Sequence, residues 1–75
     1  MVTKSRNQDQ LISFGNNLRR LRKQKGLTMT ELANICDIEY RQVSDIELGR
    51  ISTSLSTIFL LAEKLQIPTK DLFDY

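Results

Sequence analysis

The stretch that decides the fold is residues 27–49, which read LTMTELANICDIEYRQVSDIELG. Near its start, Thr28 and Glu31 stand three positions apart, just ahead of an apolar residue. This is the spacing of a capping box, in which the threonine hydroxyl accepts from the Glu31 amide and the glutamate reaches back to the Thr28 amide. Leu27 and Leu32 flank the box with the spacing of a hydrophobic staple. The pattern predicts a helix that begins at Thr28 and lasts about two turns.

A second short helix is predicted directly after the first. Asp37 lies in the turn, where a left-handed backbone is expected, and aspartate tolerates it better than most residues other than glycine. Glu39 opens the second helix, either capping it or favouring its dipole, and Gly49 closes it. Two such helices cross steeply only if the turn is tight and the contact small, and Ala33 is small at that contact. They share an apolar face of Leu32, Cys36, Ile38, Val43 and Ile46.

An amphipathic helix is expected before this pair. From about Asp9 to Lys25 the apolar residues recur at steps of three and four, and they are Leu11, Phe14, Leu18 and Leu21. Gly26 follows, where a left-handed residue ends a helix at low cost. Residues 1–8 are polar and without pattern, so we expect a flexible N-terminal arm there.

The C-terminal third predicts two more helices after a loop at residues 50–53. Ser54 is a good N-cap for a fourth helix with Leu55, Ile58, Leu61, Ala62 and Leu65 at helical spacing. Pro68 ends it, and Thr69 is expected to cap a final turn containing Asp71, Leu72 and Phe73. No strand-like alternation of useful length interrupts this pattern. We expect an all-α fold, a compact five-helix domain over residues 9–75.

Charge is distributed unevenly along the 75 residues. The net charge is +2, but residues 1–25 contain seven basic side chains and one acid. Five of the basic residues cluster together: Arg19, Arg20, Arg22, Lys23 and Lys25. Cations near the end of a helix complement its dipole, and they also form patches that attract phosphates. Both interpretations stay open on charge alone.

Several functional classes lack the residues they need. One cysteine forms no internal disulfide, and with no histidine a zinc site has almost no ligands. No nucleophile–base pair is visible, so we expect neither an enzyme nor a cofactor or metal. Cys36 is interpreted as a small buried hydrophobic residue. No apolar run approaches the ~20 residues of a membrane span, and no secretory signal pattern is present, so we expect a cytoplasmic location.

Residues 18–73 resemble the lambda-repressor-like (Cro/cI, XRE) family of helix-turn-helix regulators. The matching text is LRRLRKQKGLTMTELANICDIEYRQVSDIELGR at residues 18–50 and STSLSTIFLLAEKLQIPTKDLF at residues 52–73. The family often has glutamine where Met29 stands, glycine at the turn position of Asp37, and proline at the loop position of Thr53. A methionine cannot make the glutamine's phosphate hydrogen bonds, so such contacts are left to backbone amides or Thr30.

The resemblance implies that the second helix of the motif enters the DNA major groove. By position, the residues facing base edges are Tyr40, Arg41 and Asp45, with Gln42 and Ser44 secondary. Arg41 is suited to guanine, Asp45 to a cytosine amino group and Gln42 to adenine. The alternative for all five residues is a helix face that contacts only solvent. For Asp45 a further alternative is that it disfavours binding to other DNA sequences rather than contacting a base.

The resemblance also implies phosphate contacts and one structural pair. Phosphate contacts are expected at helix N-termini, the loop and the basic cluster, namely at Thr28, Met29, Thr30, Ser52, Ser54, Arg19 and Arg50. Glu47 resembles the family glutamate that pairs with an arginine of the first helix, here Arg22.

Apolar residues are in surplus at the C-terminal end, where we expect a self-complementary dimer surface of Phe59, Leu60, Ile67, Phe73 and Tyr75. The predicted function is binding of double-stranded DNA, at a palindromic operator, by a homodimer of the phage-repressor or restriction–modification controller kind. No membrane or small-molecule partner is expected. The alternative is an antitoxin or another protein-interaction module whose C-terminal helices bind a partner protein.

Overall fold

The computed structural model describes the backbone of residues 6–75 and the side chains of residues 7–75. Four α-helices follow one another: α1 at Arg6–Gln24, α2 at Met29–Cys36, α3 at Tyr40–Glu47 and α4 at Leu55–Leu65. Thr69–Phe73 then form a 3-10 helix. Within this described range there is no strand, which confirms the all-α class. The count of five helices is not confirmed, since the last element is a 3-10 helix in which the Asp71 amide donates to the Pro68 carbonyl at 3.0 Å.

Helix α1 includes Arg6, Asn7 and Gln8, three residues that we expected in a flexible arm. Gln8 gives this first turn a tertiary contact, since its Nε2 donates to the Gly49 carbonyl at 3.3 Å. Residues 1–5, the rest of the expected arm, lie outside the described residues.

The start of α2 is stabilised by the predicted capping box. Thr28 Oγ1 accepts from the Glu31 amide at 3.0 Å, and Glu31 Oε1 accepts from the Thr28 amide at 2.8 Å. The turn that follows is left-handed at Asp37, with φ 56° and ψ 44°. In this conformation two backbone amides donate to carbonyls in the last turn of α2: the Asp37 amide donates to the Asn34 carbonyl, and the Ile38 amide donates to the Ala33 carbonyl. The predicted tight turn is therefore confirmed.

Two predicted caps are absent. Glu39 occupies the N-cap position of α3 without a side-chain hydrogen bond, so its contribution is limited to the helix dipole. Thr69 does not cap the final turn, because Pro68 occupies that N-cap position and no side chain caps it. Ser54 does cap α4, since its Oγ accepts from the Thr57 amide at 3.2 Å.

The core is formed by one face from each element. It contains Phe14, Leu18 and Leu21 of α1, Leu32, Ala33 and Cys36 of α2, Val43 and Ile46 of α3, Ile58, Leu61, Ala62 and Leu65 of α4, and Leu72. Leu55 was predicted among these residues but is 66% exposed. Leu60, predicted to point outward, is partly buried and packs against the core. The predicted face of α4 is therefore buried from Ile58 onward, but the rest of the chain does not cover it at Leu55.

Gly15 brings α1 directly against the C-terminal end of α3. A Cβ atom at Gly15 would lie 2.4 Å from the carbonyl oxygens of both Ile46 and Glu47. No side chain fits between two backbones at that distance. This contact sets the position of α3 relative to α1.

Candidate nucleic-acid interface

The outward face of α3 carries the five residues that were expected to face base edges. The Arg41 side chain is 87% exposed and Tyr40 is 51% exposed, so both are accessible to a large ligand. Gln42, Ser44 and Asp45 are partly buried. Since neighbouring residues lie about 100° apart around a helix, these five residues spread over the whole side of α3 that faces away from the core, and their exposure is unequal.

Asp45 lies between two arginines. Its Oδ2 is 3.8 Å from Arg41 Nε, one helical turn earlier, and its Oδ1 is 3.8 Å from Arg50 Nη1 in the loop after α3. The Asp45 side chain is 19% exposed, while that of Arg50 is 67% exposed. The Asp45 carboxylate therefore lies within ion-pair distance of one cation on each side.

The back of α3 is held by the Arg22–Glu47 pair that the resemblance implied. Arg22 Nε donates to Glu47 Oε2 at 2.6 Å and Arg22 Nη2 donates to Glu47 Oε1 at 3.0 Å. The two side chains are 8% and 4% exposed. Arg22 Nη1 also donates to the Leu27 carbonyl at 2.7 Å. One guanidinium therefore joins α1, the segment before α2, and α3.

The hydrogen bonding of Arg22 to the Glu47 carboxylate is the main reason that the pKa of Arg22 is raised above its ordinary value, although desolvation by burial opposes it. A raised pKa means that the Arg22 guanidinium keeps its charge throughout the neutral range despite its burial. Arg22 uses its guanidinium nitrogens within the protein, so phosphate binding is left to more exposed side chains.

The start of α2 presents free hydrogen-bonding groups. The first amides of a helix have no partner within it. Thr28 and Thr30 are exposed, and the Thr28 hydroxyl accepts in the capping box, so its hydrogen is available to donate. Met29 is partly buried and packs against the core, so this position offers its backbone amide rather than its side chain.

Arg19 reaches the same surface from α1. It lines an open groove together with Met29 of α2 and Ser44 of α3. Arg50, Ser52 and Ser54 are exposed in the segment between α3 and α4. The expected phosphate-contacting residues thus come from α1, α2 and this loop.

Asn17 is a buried polar residue that neither the helical periodicity nor the family resemblance predicted. It is 3% exposed, and its Nδ2 donates to the carbonyls of Asp71 and Leu72, both at 2.9 Å. Its Oδ1 accepts from Arg20. It therefore ties the 3-10 helix to α1. Its burial could have been inferred from its position, because Asn17 lies about one helical turn after the inward Phe14 and directly before the inward Leu18.

The C-terminal apolar surplus divides into two groups. Leu60 and Ile67 pack against the core. Phe59, Phe73 and Tyr75 are 56%, 47% and 56% exposed. The Phe73 ring lies 5.1 Å from that of Phe14, and Tyr75 Oη donates to Gln10 Oε1 at 3.1 Å, so both lie along α1. Leu55 joins Phe59 on α4, four residues away and on the same helix face.

Other sites find little support among the described residues. There, no group of three or more His, Cys, Asp or Glu side chains is placed to hold a metal ion. No described helix has the length and apolar character needed to cross a membrane. Cys36 is buried, and burial raises the pKa of its thiol, which disfavours the reactive thiolate.

Comparison with known proteins places this geometry in a family. The helix-turn-helix family model HTH_3 matches residues 18–72. Control protein C.BamHI of Bacillus amyloliquefaciens is 35% identical over 63 residues, which cover 83% of this chain and 78% of that protein. The HTH-type transcriptional regulator DdrOP3 of Deinococcus deserti is 37% identical over 57 residues, 76% of this chain but 44% of that longer protein.

A solved structure agrees with these relatives. The restriction-modification controller protein C.AhdI from Aeromonas hydrophila superimposes with a TM-score of 0.82 at 38% identity, covering 84% of this chain and 96% of that one. The family match spans more than half of the chain and includes the capped α2, the left-handed turn and α3. The chain therefore belongs to the HTH_3 family of helix-turn-helix, DNA-binding transcriptional regulators.

Proposed function

We propose that this protein binds a palindromic DNA operator as a homodimer and controls transcription in the manner of a restriction–modification controller. Both the sequence identity and the share of each relative that the alignment covers support the controller kind. The aligned region covers 78% of C.BamHI and 96% of C.AhdI, so the similarity extends over most of each relative.

The observation that carries the proposal is the exposed face of α3 on a rigidly held helix. Arg41 and Tyr40 project from this face, while Gly15 and the buried Arg22–Glu47 pair anchor its back. A helix presented in this way fits the major groove, where an arginine recognises the O6 and N7 atoms of guanine. We assign base contacts to Arg41 and Tyr40, with Gln42 and Ser44 in secondary roles.

Phosphate contacts are proposed on both sides of α3. They would use the amides at the start of α2, together with Thr28, Thr30, Arg19, Arg50, Ser52 and Ser54. Such contacts set the position of the protein on the duplex without selecting its sequence.

The dimer interface is proposed on α4 and the C-terminal residues. Leu55 and Phe59 form an exposed apolar pair on one face, and such a pair suits an isologous interface, in which the same patch of each subunit meets. Phe73 and Tyr75 would extend it. The partly buried Leu60 and Ile67 would support it from below rather than contact the second copy.

The test is selection of bound sequences from a pool of random duplexes. We expect an inverted repeat whose half-sites are centred about 34 Å apart on one face of the duplex. A selected site without twofold symmetry would contradict the homodimer. Failure to enrich any sequence, with the protein folded, would contradict sequence-specific binding.

The exposed apolar patch also suits the alternative, an antitoxin whose partner protein covers α4. In that case the isolated chain would remain a monomer, and a toxin gene would lie beside its own. A methyltransferase or endonuclease gene in that position would favour the controller instead.

A further inference from the structure

Asp45 lies on a surface that, by the proposed function, approaches phosphates. A carboxylate there repels the DNA backbone unless a nearby cation neutralises it. Asp45 has two such cations, Arg41 and Arg50, and both are far more exposed than Asp45 itself. The two arginines carry different proposed roles, since Arg41 contacts a base and Arg50 contacts phosphate.

The geometry divides the carboxylate between them. Oδ2 faces Arg41 and Oδ1 faces Arg50, each at 3.8 Å. The Arg50 amide also donates to the Asp45 carbonyl at 2.9 Å, so the loop is held close to Asp45 by its backbone as well. One acid thus links Arg41, in the first turn of α3, to Arg50, beyond the end of that helix.

We propose that Asp45 is a specificity-determining positioning residue that acts through Arg41 and Arg50 rather than by contacting a base. The inference rests on the proposed function. On an arbitrary duplex, phosphates compete with Asp45 for both arginines, and this weakens non-specific binding. On the operator, a guanine offers Arg41 two acceptors, which compensate for the broken ion pair. Specificity is a difference between two affinities, and Asp45 increases it by lowering the non-specific one.

The test replaces Asp45 by its neutral, isosteric analogue. We expect Asp45→Asn to bind a 30-base-pair duplex pool of random sequence about three- to ten-fold more tightly, since two weak ion pairs no longer compete. The plot of log affinity against log salt should steepen by up to ~0.9 for each additional phosphate that the arginines neutralise. On the selected operator the increase in affinity should be smaller, so the ratio of the two affinities falls.

A matched control separates this effect from net charge. Asp37→Asn makes the same change of charge in the turn before α3, and asparagine also tolerates the left-handed backbone found there. Within the described side chains Asp37 makes no ion pair with an arginine or lysine. We expect it to change both affinities by one small, equal factor. A second check is that the effect of Asp45→Asn shrinks when Arg50 is already alanine.

Three results would overturn the proposal. If Asp45→Asn loses affinity for the operator alone, Asp45 reads a base directly. If Asp45→Asn and Asp37→Asn behave alike, the effect is net charge. If the wild-type protein binds no duplex, both the proposed function and this inference fail. If the wild type binds DNA and only the variants behave otherwise than expected, this inference alone fails. Melting temperatures near that of the wild type would show that both variants are folded.

Discussion

Arg22 and Glu47 are charged side chains in a position where an unpaired charge is costly. Both side chains are almost fully buried. Arg22 donates two hydrogen bonds to the Glu47 carboxylate and a third to the Leu27 carbonyl. A buried pair often adds little stability over an apolar pair of equal volume, but removing one partner leaves the other charge unpaired. The value of this pair is therefore seen when it is broken.

We predict that Glu47→Gln lowers the free energy of unfolding by ~3–5 kcal/mol, the range for a broken buried pair. Urea unfolding monitored by circular dichroism would measure it. Glu63→Gln on the exposed side of α4 is the control and should change stability by less than ~1 kcal/mol. Equal free energies of unfolding for the two variants would mean that the pair does not hold α3.

Arg41 and Arg50 are predicted to differ in how their replacement affects binding. Arg41→Ala should relax preference at one base pair per half-site and cost ~1–3 kcal/mol per subunit on the operator. Arg50→Ala should weaken binding to every sequence alike and flatten the salt dependence by ~0.9 for each phosphate that is no longer neutralised. Salt titrations of both variants on operator and scrambled duplexes would measure this. If both lose affinity equally on both duplexes, Arg41 binds the DNA backbone and base reading belongs to Tyr40, Gln42 or Ser44.

At the scale of elements, the contact between α1 and α3 determines how α3 is presented. Glycine in a helix interior costs ~1 kcal/mol relative to alanine, so Gly15 is unfavourable for α1 taken alone. It is required because two carbonyl oxygens of α3 occupy the space of its Cβ. Helix propensity is outweighed here by packing.

We predict that Gly15→Ala destabilises the protein despite its better helix propensity. Backbone must move to admit the methyl group, and overpacking of this kind costs ~1–3 kcal/mol. Asn16→Ala, one residue along α1 and exposed, should leave stability unchanged or raise it slightly. Thermal unfolding of the two variants would measure the difference, and a Gly15→Ala variant as stable as Asn16→Ala would show that α3 shifts freely.

At the scale of the whole molecule, the exposed apolar residues of α4 are left uncovered by folding and are available for the proposed dimer interface. A domain of this size buries a limited part of its surface, and Leu55 and Phe59 remain outside it. A homodimer would cover them and at the same time place two α3 helices for two half-sites.

We predict that Leu55→Glu yields a folded monomer with weaker, non-cooperative operator binding. A charge placed in the centre of an apolar isologous interface appears twice, once from each subunit. Sedimentation at micromolar concentration would measure it. Ile35→Glu on α2, also exposed and apolar, is the control and should leave the association unchanged. A wild-type chain that is monomeric at every concentration would contradict the dimer and favour a different partner protein.

Local chemistry determined much of this protein from sequence alone. The capping box at Thr28, the left-handed Asp37 and the Ser54 cap depend on residues within a few positions, so their spacing predicts them. Helical periodicity likewise predicted the buried apolar residues of α1, α2 and α3, except that Leu11 is only partly buried and lies outside the core cluster. The chain's resemblance to a known family added the Arg22–Glu47 pair, which spans 25 residues and which no local rule predicts.

Tertiary structure alone decided the features that depend on distant partners. Asn17 is buried because carbonyls 54 and 55 residues away accept from it. Periodicity placed Leu55 on the buried face of α4 and Leu60 outside it, and only the packing of the other elements leaves Leu55 exposed and partly covers Leu60. Gly15 and the paired state of Asp45 likewise depend on where α3 and its following loop lie. Periodicity specifies that a helix has an apolar face, but the arrangement of its neighbours specifies how far along the helix that face is buried.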